Sequence, residues 1–256
     1  MKSFLAIFRK DLTEHLRAGK LTVLGLLFVL FGIMNPAIAK MTPWLLEMMA
    51  DTLKESGMTI TAVTVSAMDS WVQFYKNIPI ALIAFLLMEA ALFTREYSEG
   101  TLILSLTKGL PRTAVVLSKA LLLSTLWTVG YWSCFGITYA YNAYFWDNSI
   151  ASSLVFSAVA FWLFGIFTAT LTVFFSVSAR SSSAVLIGTG AVVFLSYLVG
   201  MIPKAAKYLP TMLTDSTSLL YGEKDPDAYI ASLIITVTAS LCLLAVSIPL
   251  FRKKEL

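Results

Sequence analysis

Charged residues are scarce in this chain. They make up 13% of its 256 residues, about half the ~25% of an ordinary soluble domain, while 58% are hydrophobic and the mean hydropathy is +0.79. A soluble fold of this length leaves too much surface in water to hide so much apolar side chain, which excludes a soluble enzyme. Histidine is scarcer still. His15 is the only one and lies in the first helix, far from any serine in an apolar run, so an intramembrane Ser–His dyad is unavailable. No His-Glu-x-x-His and no cysteine cluster exists to hold zinc. The two cysteines, Cys134 and Cys242, sit inside apolar runs, which argues against a disulfide framework. Gly-x-x-x-x-Gly-Lys-Ser/Thr is missing too, so the chain cannot cradle nucleotide phosphates as a P-loop does. If ATP drives this protein, another chain binds it.

What is present is a series of apolar runs long enough to cross a bilayer. Six spans are expected, at about 21–39, 78–94, 113–140, 154–178, 184–202 and 229–251, in a single all-α transmembrane domain over 1–256. Residues 1–20 precede them. There Phe4, Phe8, Leu12 and Leu16 recur every four residues, with Lys2, Arg9, Lys10 and Arg17 elsewhere around the turn. That pattern predicts an amphipathic helix in the bilayer surface, its basic side chains toward lipid headgroups and its end at Gly19.

Orientation follows from lysine and arginine. Of the 19, only Lys40, Lys54, Lys76, Lys204, Lys207 and Lys224 fall in segments opposite the N-terminus, whereas nine of the acidic residues do: Glu47, Asp51, Glu55, Asp69, Asp147, Asp215, Glu223, Asp225 and Asp227. The positive-inside rule then puts both termini in the cytoplasm and makes 41–76 and 203–227 extracellular. In the first of these, Thr42 and Pro43 predict the start of a separate helix from 43 to about 55, a break at Gly57, and a second helix through Trp71. The second is too polar to span. It either dips partway into the membrane, shielded by protein, or rests on the headgroups.

Few residues in the spans suggest chemistry. Glu89 is the one ionisable residue well inside a span, and either borders a transport path or bonds a neighbouring helix. Gly25, Gly32, Gly165, Gly188 and Gly190 predict close helix packing. Trp127, Tyr131, Trp132, Tyr139, Tyr141, Tyr144 and Trp146 read as an interfacial aromatic belt.

The loop after the second span runs Arg95-Glu96-Tyr97-Ser98-Glu99-Gly100-Thr101-Leu102-Ile103-Leu104-Ser105-Leu106-Thr107-Lys108-Gly109-Leu110-Pro111-Arg112. It predicts a short helix and a turn, with Leu102, Leu104 and Leu106 exposed for a protein partner. The stretch resembles the Glu-x-x-x-Gly-Thr-Leu loop of type-2 ATP-binding-cassette exporter permeases, through Glu96, Glu99, Gly100, Thr101, Leu102, Arg112 and the Lys119 that opens the third span. The order of surface helix, six spans and re-entrant-looking material before the sixth is similar as well.

The resemblance implies a permease subunit in the inner (plasma) membrane of a prokaryote. It binds no cofactor, with ATP held by a separate cytoplasmic nucleotide-binding subunit. A second permease, identical or homologous, supplies the other half of the pathway, and no nucleic acid is involved. Arg95, Glu96, Glu99, Gly100, Thr101, Leu102, Leu104 and Arg112 would then form the coupling contact with the ATPase. Spans so poor in charge suit an amphipathic or hydrophobic cargo such as a peptide. A channel, a scaffold, or an exporter of drugs, lipids or ions are the alternatives that the residues leave open.

Overall fold

The computed structural model describes residues 2–49, 64–107 and 109–254. Within them the chain is all-α. Eleven α-helices follow one another: α1 (Lys2–Arg17), α2 (Lys20–Met48), α3 (Ala67–Glu89), α4 (Ala91–Ser98), α5 (Thr101–Thr107), α6 (Arg112–Phe145), α7 (Leu154–Ser178), α8 (Ser182–Gly200), α9 (Pro203–Ala206), α10 (Ser216–Leu220) and α11 (Ile230–Lys253). Six stretches are long and apolar enough to cross a membrane: α2, α3 with α4, α6, α7, α8, and α11 with the short turn before it.

Between helices already in lipid, the tails are as apolar as leucine, so association rests on close packing and internal hydrogen bonds. Both are present. A β-carbon on Gly32 would lie 2.9 Å from that of Ile137, so α2 and α6 meet backbone to side chain. One helical turn on, Asn77 Nδ2 of α3 donates to Asn35 Oδ1 of α2 (2.9 Å), and Asn35 Nδ2 donates to the Thr138 hydroxyl of α6 (3.3 Å). The Thr138 hydroxyl donates in turn to the Gly32 carbonyl at 3.0 Å. Three helices are thereby pinned in one register.

The middle of the bundle is filled by aromatic rings. Trp71, Phe74, Trp127, Tyr131 and Phe161 are all buried, and the Tyr131 and Phe161 rings stack with centroids 6.1 Å apart. Trp127 donates its indole N–H to the Trp162 carbonyl (3.0 Å), and the Tyr131 hydroxyl donates to Ala158 O (2.8 Å). The expected aromatic belt therefore divides in two. Tyr139, Tyr141 and Tyr144 are exposed, but Trp127 and Tyr131 are core residues whose polar atoms find partners inside.

One other expectation needs correction. No separate helix begins at Pro43: α2 runs from Lys20 to Met48 with Pro36 and Pro43 inside it. The Thr42 hydroxyl donates back to the Ile38 carbonyl (2.9 Å) rather than capping the turn ahead. The expected break at Gly57 lies outside the described residues. Residues 203–229 form a packed cap at the end of the bundle away from the termini. Leu213, Leu219, Leu220 and Tyr229 are fully buried, and the Tyr229 hydroxyl donates to the Asp215 carbonyl (2.9 Å).

Coverage is uneven. α7 is surrounded by α6, α8, α11 and the cap, whereas α8 buries only Val185 and Thr189. Ile187, Phe194 and Leu195 on α8 stand more than half exposed.

Candidate functional site

At the end of the bundle that carries both termini, α1 lies against α6 and α2. Its inward face is Ile7, Asp11 and His15, one residue per turn, while Leu5 and Leu16 point outward. The buried face is thus rotated away from the Phe4–Phe8–Leu12–Leu16 stripe, and it carries two ionisable groups.

Those groups complete a buried ionic cluster. Lys119 of α6 places Nζ 3.0 Å from Glu96 Oε2, 3.3 Å from Asp11 Oδ2 and 3.2 Å from the Leu92 carbonyl. Lys10 reaches the other Glu96 oxygen at 2.7 Å. His15 Nε2 lies 2.8 Å from Glu89 Oε2, and Lys20 donates to the Met88 carbonyl at 3.2 Å. Glu89 is 0%, Lys119 1%, Asp11 2% and His15 4% exposed, so water screens these charges little. Burial pushes the Asp11 carboxyl upward, and Lys119 offsets only part of that. For His15, burial acts downward, but the bond to Glu89 and its charge prevail and hold the imidazole above its ordinary value. Asp11, Glu14 and Glu96 bring carboxylate oxygens within 4.8 Å of one another. Lys10 and Lys119 pair with two of these three, Asp11 and Glu96.

Glu89 is accordingly turned toward α1. His15 is its partner, so the residue that stood alone in the sequence is half of a pair.

The segment between α4 and α6 folds back on the bundle. Gly100 has φ +68°, a left-handed conformation that suits glycine, and it reverses the chain between α4 and α5. The reversal buries Leu102 and half-buries Leu106 against the core, so these leucines are not the exposed docking surface that their positions in a loop suggest. Leu104 lies in α5, with its side chain outside the described ones. Thr101 opens α5 and is half-buried. Glu99 and Arg95 face outward, 2.8 Å apart, with Glu14 of α1 3.9 Å from the Arg95 guanidinium. Arg112 turns the other way. Its Nη1 donates to the carbonyls of Phe251, Arg252 and Lys254 at 2.8, 2.8 and 2.9 Å, capping the C-terminal end of α11. Lys254 does the same for α7, through Val177 O (2.7 Å) and Ala179 O (3.1 Å), and lies 4.0 Å above the Tyr97 ring. Glu96 thus binds the loop to α1 and α6, and Arg112 binds it to α11.

Away from this end, α3, α7 and α8 enclose a groove of about 420 Å³. Pro79, Leu82, Leu86, Phe164, Val193 and Phe194 are among its apolar walls, with the Thr168 and Thr189 hydroxyls. Gly190 opens onto it with nothing within 4 Å of where a β-carbon would stand.

Six apolar helices around a filled core, with a buried ionic cluster at one end, define an all-α polytopic membrane protein. Residues 5–256 match the family described as ABC-2 family transporter protein, and the chain belongs to that family. As such it is a membrane component of an ABC transporter. It is also similar to the uncharacterized transmembrane protein YxlG of Bacillus subtilis (strain 168), 25% identical over 265 residues that span 100% of this chain and 99% of the relative. No solved structure matches it.

Proposed function

We propose that this chain is one permease half of an ABC exporter, with the pathway formed between two such halves rather than through the middle of one. The observation that carries this reading is the contrast between the buried aromatic core and the open groove on α3, α7 and α8. α8 is long enough to span, yet packs mainly on α7 and the cap and leaves most of its apolar side chains uncovered. A second copy or a homologue set against this side would cover them and enclose the groove.

Both termini then lie in the cytoplasm of a prokaryotic cell, where the basic residues gather. A separate ATPase, which holds the ATP, docks on α1, the Arg95–Glu99 pair, Gly100, Thr101 and α5. Motion of that face reaches the spans through rigid links: Lys119 into α6, Glu96 into α4 and Arg112 into α11. The groove has apolar walls and two hydroxyls, and Glu89, bonded to His15, leaves it without a charge. Each charge on a hydrophilic solute would need a partner there. An amphipathic or hydrophobic cargo, such as a membrane-active peptide, fits such walls better.

The test is co-expression with the ATPase and reconstitution in liposomes. Amphipathic peptides are expected to stimulate ATP hydrolysis more than small dyes or simple ions. Gly190→Leu, which fills the groove without touching the monomer's packing, is expected to leave folding intact and abolish that stimulation. Response to ions alone, or full activity of Gly190→Leu, would overturn the assignment of cargo or pathway respectively.

A further inference from the structure

Hydrogen-bond chemistry at His15 dictates where protons must be. Nδ1 lies 2.8 Å from the Asp11 carbonyl oxygen, which can only accept, so Nδ1 carries a hydrogen. Nε2 lies 2.8 Å from Glu89 Oε2. An imidazole protonated only at Nδ1 presents a lone pair at Nε2, and an ionised carboxylate presents only lone pairs. At this distance the two would repel. One proton therefore lies between them, as an imidazolium beside a carboxylate or as a neutral imidazole beside a carboxylic acid.

We propose that His15 and Glu89 form a buried proton-binding site that fastens the last turn of α1 to the end of α3, and that losing this proton releases the turn. The surroundings leave no substitute for it. Asp11 on α1 is paired with Lys119 of α6, which also shares Glu96 of α4 with Lys10. Arg95 of α4 is committed to Glu99 and Glu14. Lys20 of α2 bonds the Met88 carbonyl. The second oxygen of Glu89, Oε1, has no partner among the described residues. Without the proton, Glu89 is a fully buried carboxylate facing a lone pair, an arrangement a low-dielectric interior does not sustain.

Release has a place to occur. Gly19 follows α1 with φ +71° and open space where a β-carbon would stand, a hinge four residues beyond His15. The bonds of Asp11 and Lys119 remain, so the C-terminal turn opens first while the middle of α1 stays anchored. The sign agrees with the raised value of His15. A group whose folded-state pKa is raised contributes fully below its ordinary value, 6.5 here, and loses that contribution as pH rises through the folded value. α1 is held fully below about pH 6.5 and loosens as pH rises through the folded value.

Because His15 is the only histidine, the full chain labelled with ¹⁵N-histidine in lipid nanodiscs reports this site alone. Its ring nitrogens are followed between about pH 5 and pH 10, a range that brackets ordinary imidazole titration. In parallel, spin labels on Leu16 and Leu250, both exposed, report the distance from α1 to the bundle. The expected result is a proton-bearing Nδ1 throughout, titration of the imidazole above 6.5, and a narrow distance distribution that broadens over the same pH interval. Titration at or below 6.5, a bare Nδ1, or a distribution that stays narrow while the proton leaves would each overturn the proposal. In Glu89→Gln the amide can donate to the Nε2 lone pair, so α1 is expected to stay docked at all pH values. Persistence of the pH response in that variant would also overturn it. If the variant fails to fold, the wild-type titration and distances decide alone.

Discussion

Lys119→Met removes the ammonium at the centre of the ionic cluster while keeping a similar apolar stem. The wild-type ammonium touches two carboxylates and a carbonyl within 3.3 Å and is 1% exposed. After substitution Asp11 is left buried with Lys10 3.9 Å away, and Glu96 keeps only its 2.7 Å contact to that half-exposed lysine. Removing one partner of a buried pair costs about 3–5 kcal/mol, because the remaining charge is stranded. The strain is relieved when a carboxyl takes up a proton, so the loss is expected to be largest at neutral and alkaline pH and to shrink on acidification. Denaturant titration of the full chain in mixed micelles at two pH values measures both features. A triple variant, Lys119→Met with Asp11→Asn and Glu96→Gln, removes the stranded charges and is expected to recover most of the loss. A shift below about 1 kcal/mol for the single variant, or a triple variant no better than the single, would refute the claim that this cluster holds α1 by charge.

Three further outcomes are expected. Gly165→Val drives a branched side chain into the Trp127 indole that lies over it and should cost about 1–3 kcal/mol in the same unfolding assay, whereas Gly25→Ala, with nothing within 4 Å, should not be destabilising. Arg112→Ala frees three carbonyls at the end of α11 and should lower stability by about 1–2 kcal/mol, with faster amide exchange confined to the last turns of α11. In a cysteine-free background, a cysteine at Lys224 should react with an impermeant thiol reagent in intact cells and one at Ser182 should not; the reverse pattern would invert the orientation.

The spans were legible in the sequence because hydropathy is a property of consecutive residues. Leu154–Ser178 could be read to the residue, since apolar side chains fill it and Arg180 follows. By composition the second span is one element, and the junction at Ala90 between α3 and α4 leaves no mark in it. The Glu96–Leu102 motif and the course of the chain around it pointed to the family to which the chain belongs. Which way the side chains of that motif turn was not legible. Leu102 goes inward because Gly100 reverses the chain, and Arg112 goes inward because the end of α11, 139 residues later, offers bare carbonyls. Nothing in the pattern of α1 marks Asp11 and His15 as buried, because a helical wheel records polarity and not the neighbour. Their partners, Lys119 and Glu89, lie 108 and 74 residues away on other helices. A hydrophobic run is decided locally, by transfer from water to lipid. A buried ion pair exists only when the fold brings two distant residues within about 4 Å, so the tertiary structure alone decided that this chain fastens its first helix by charge.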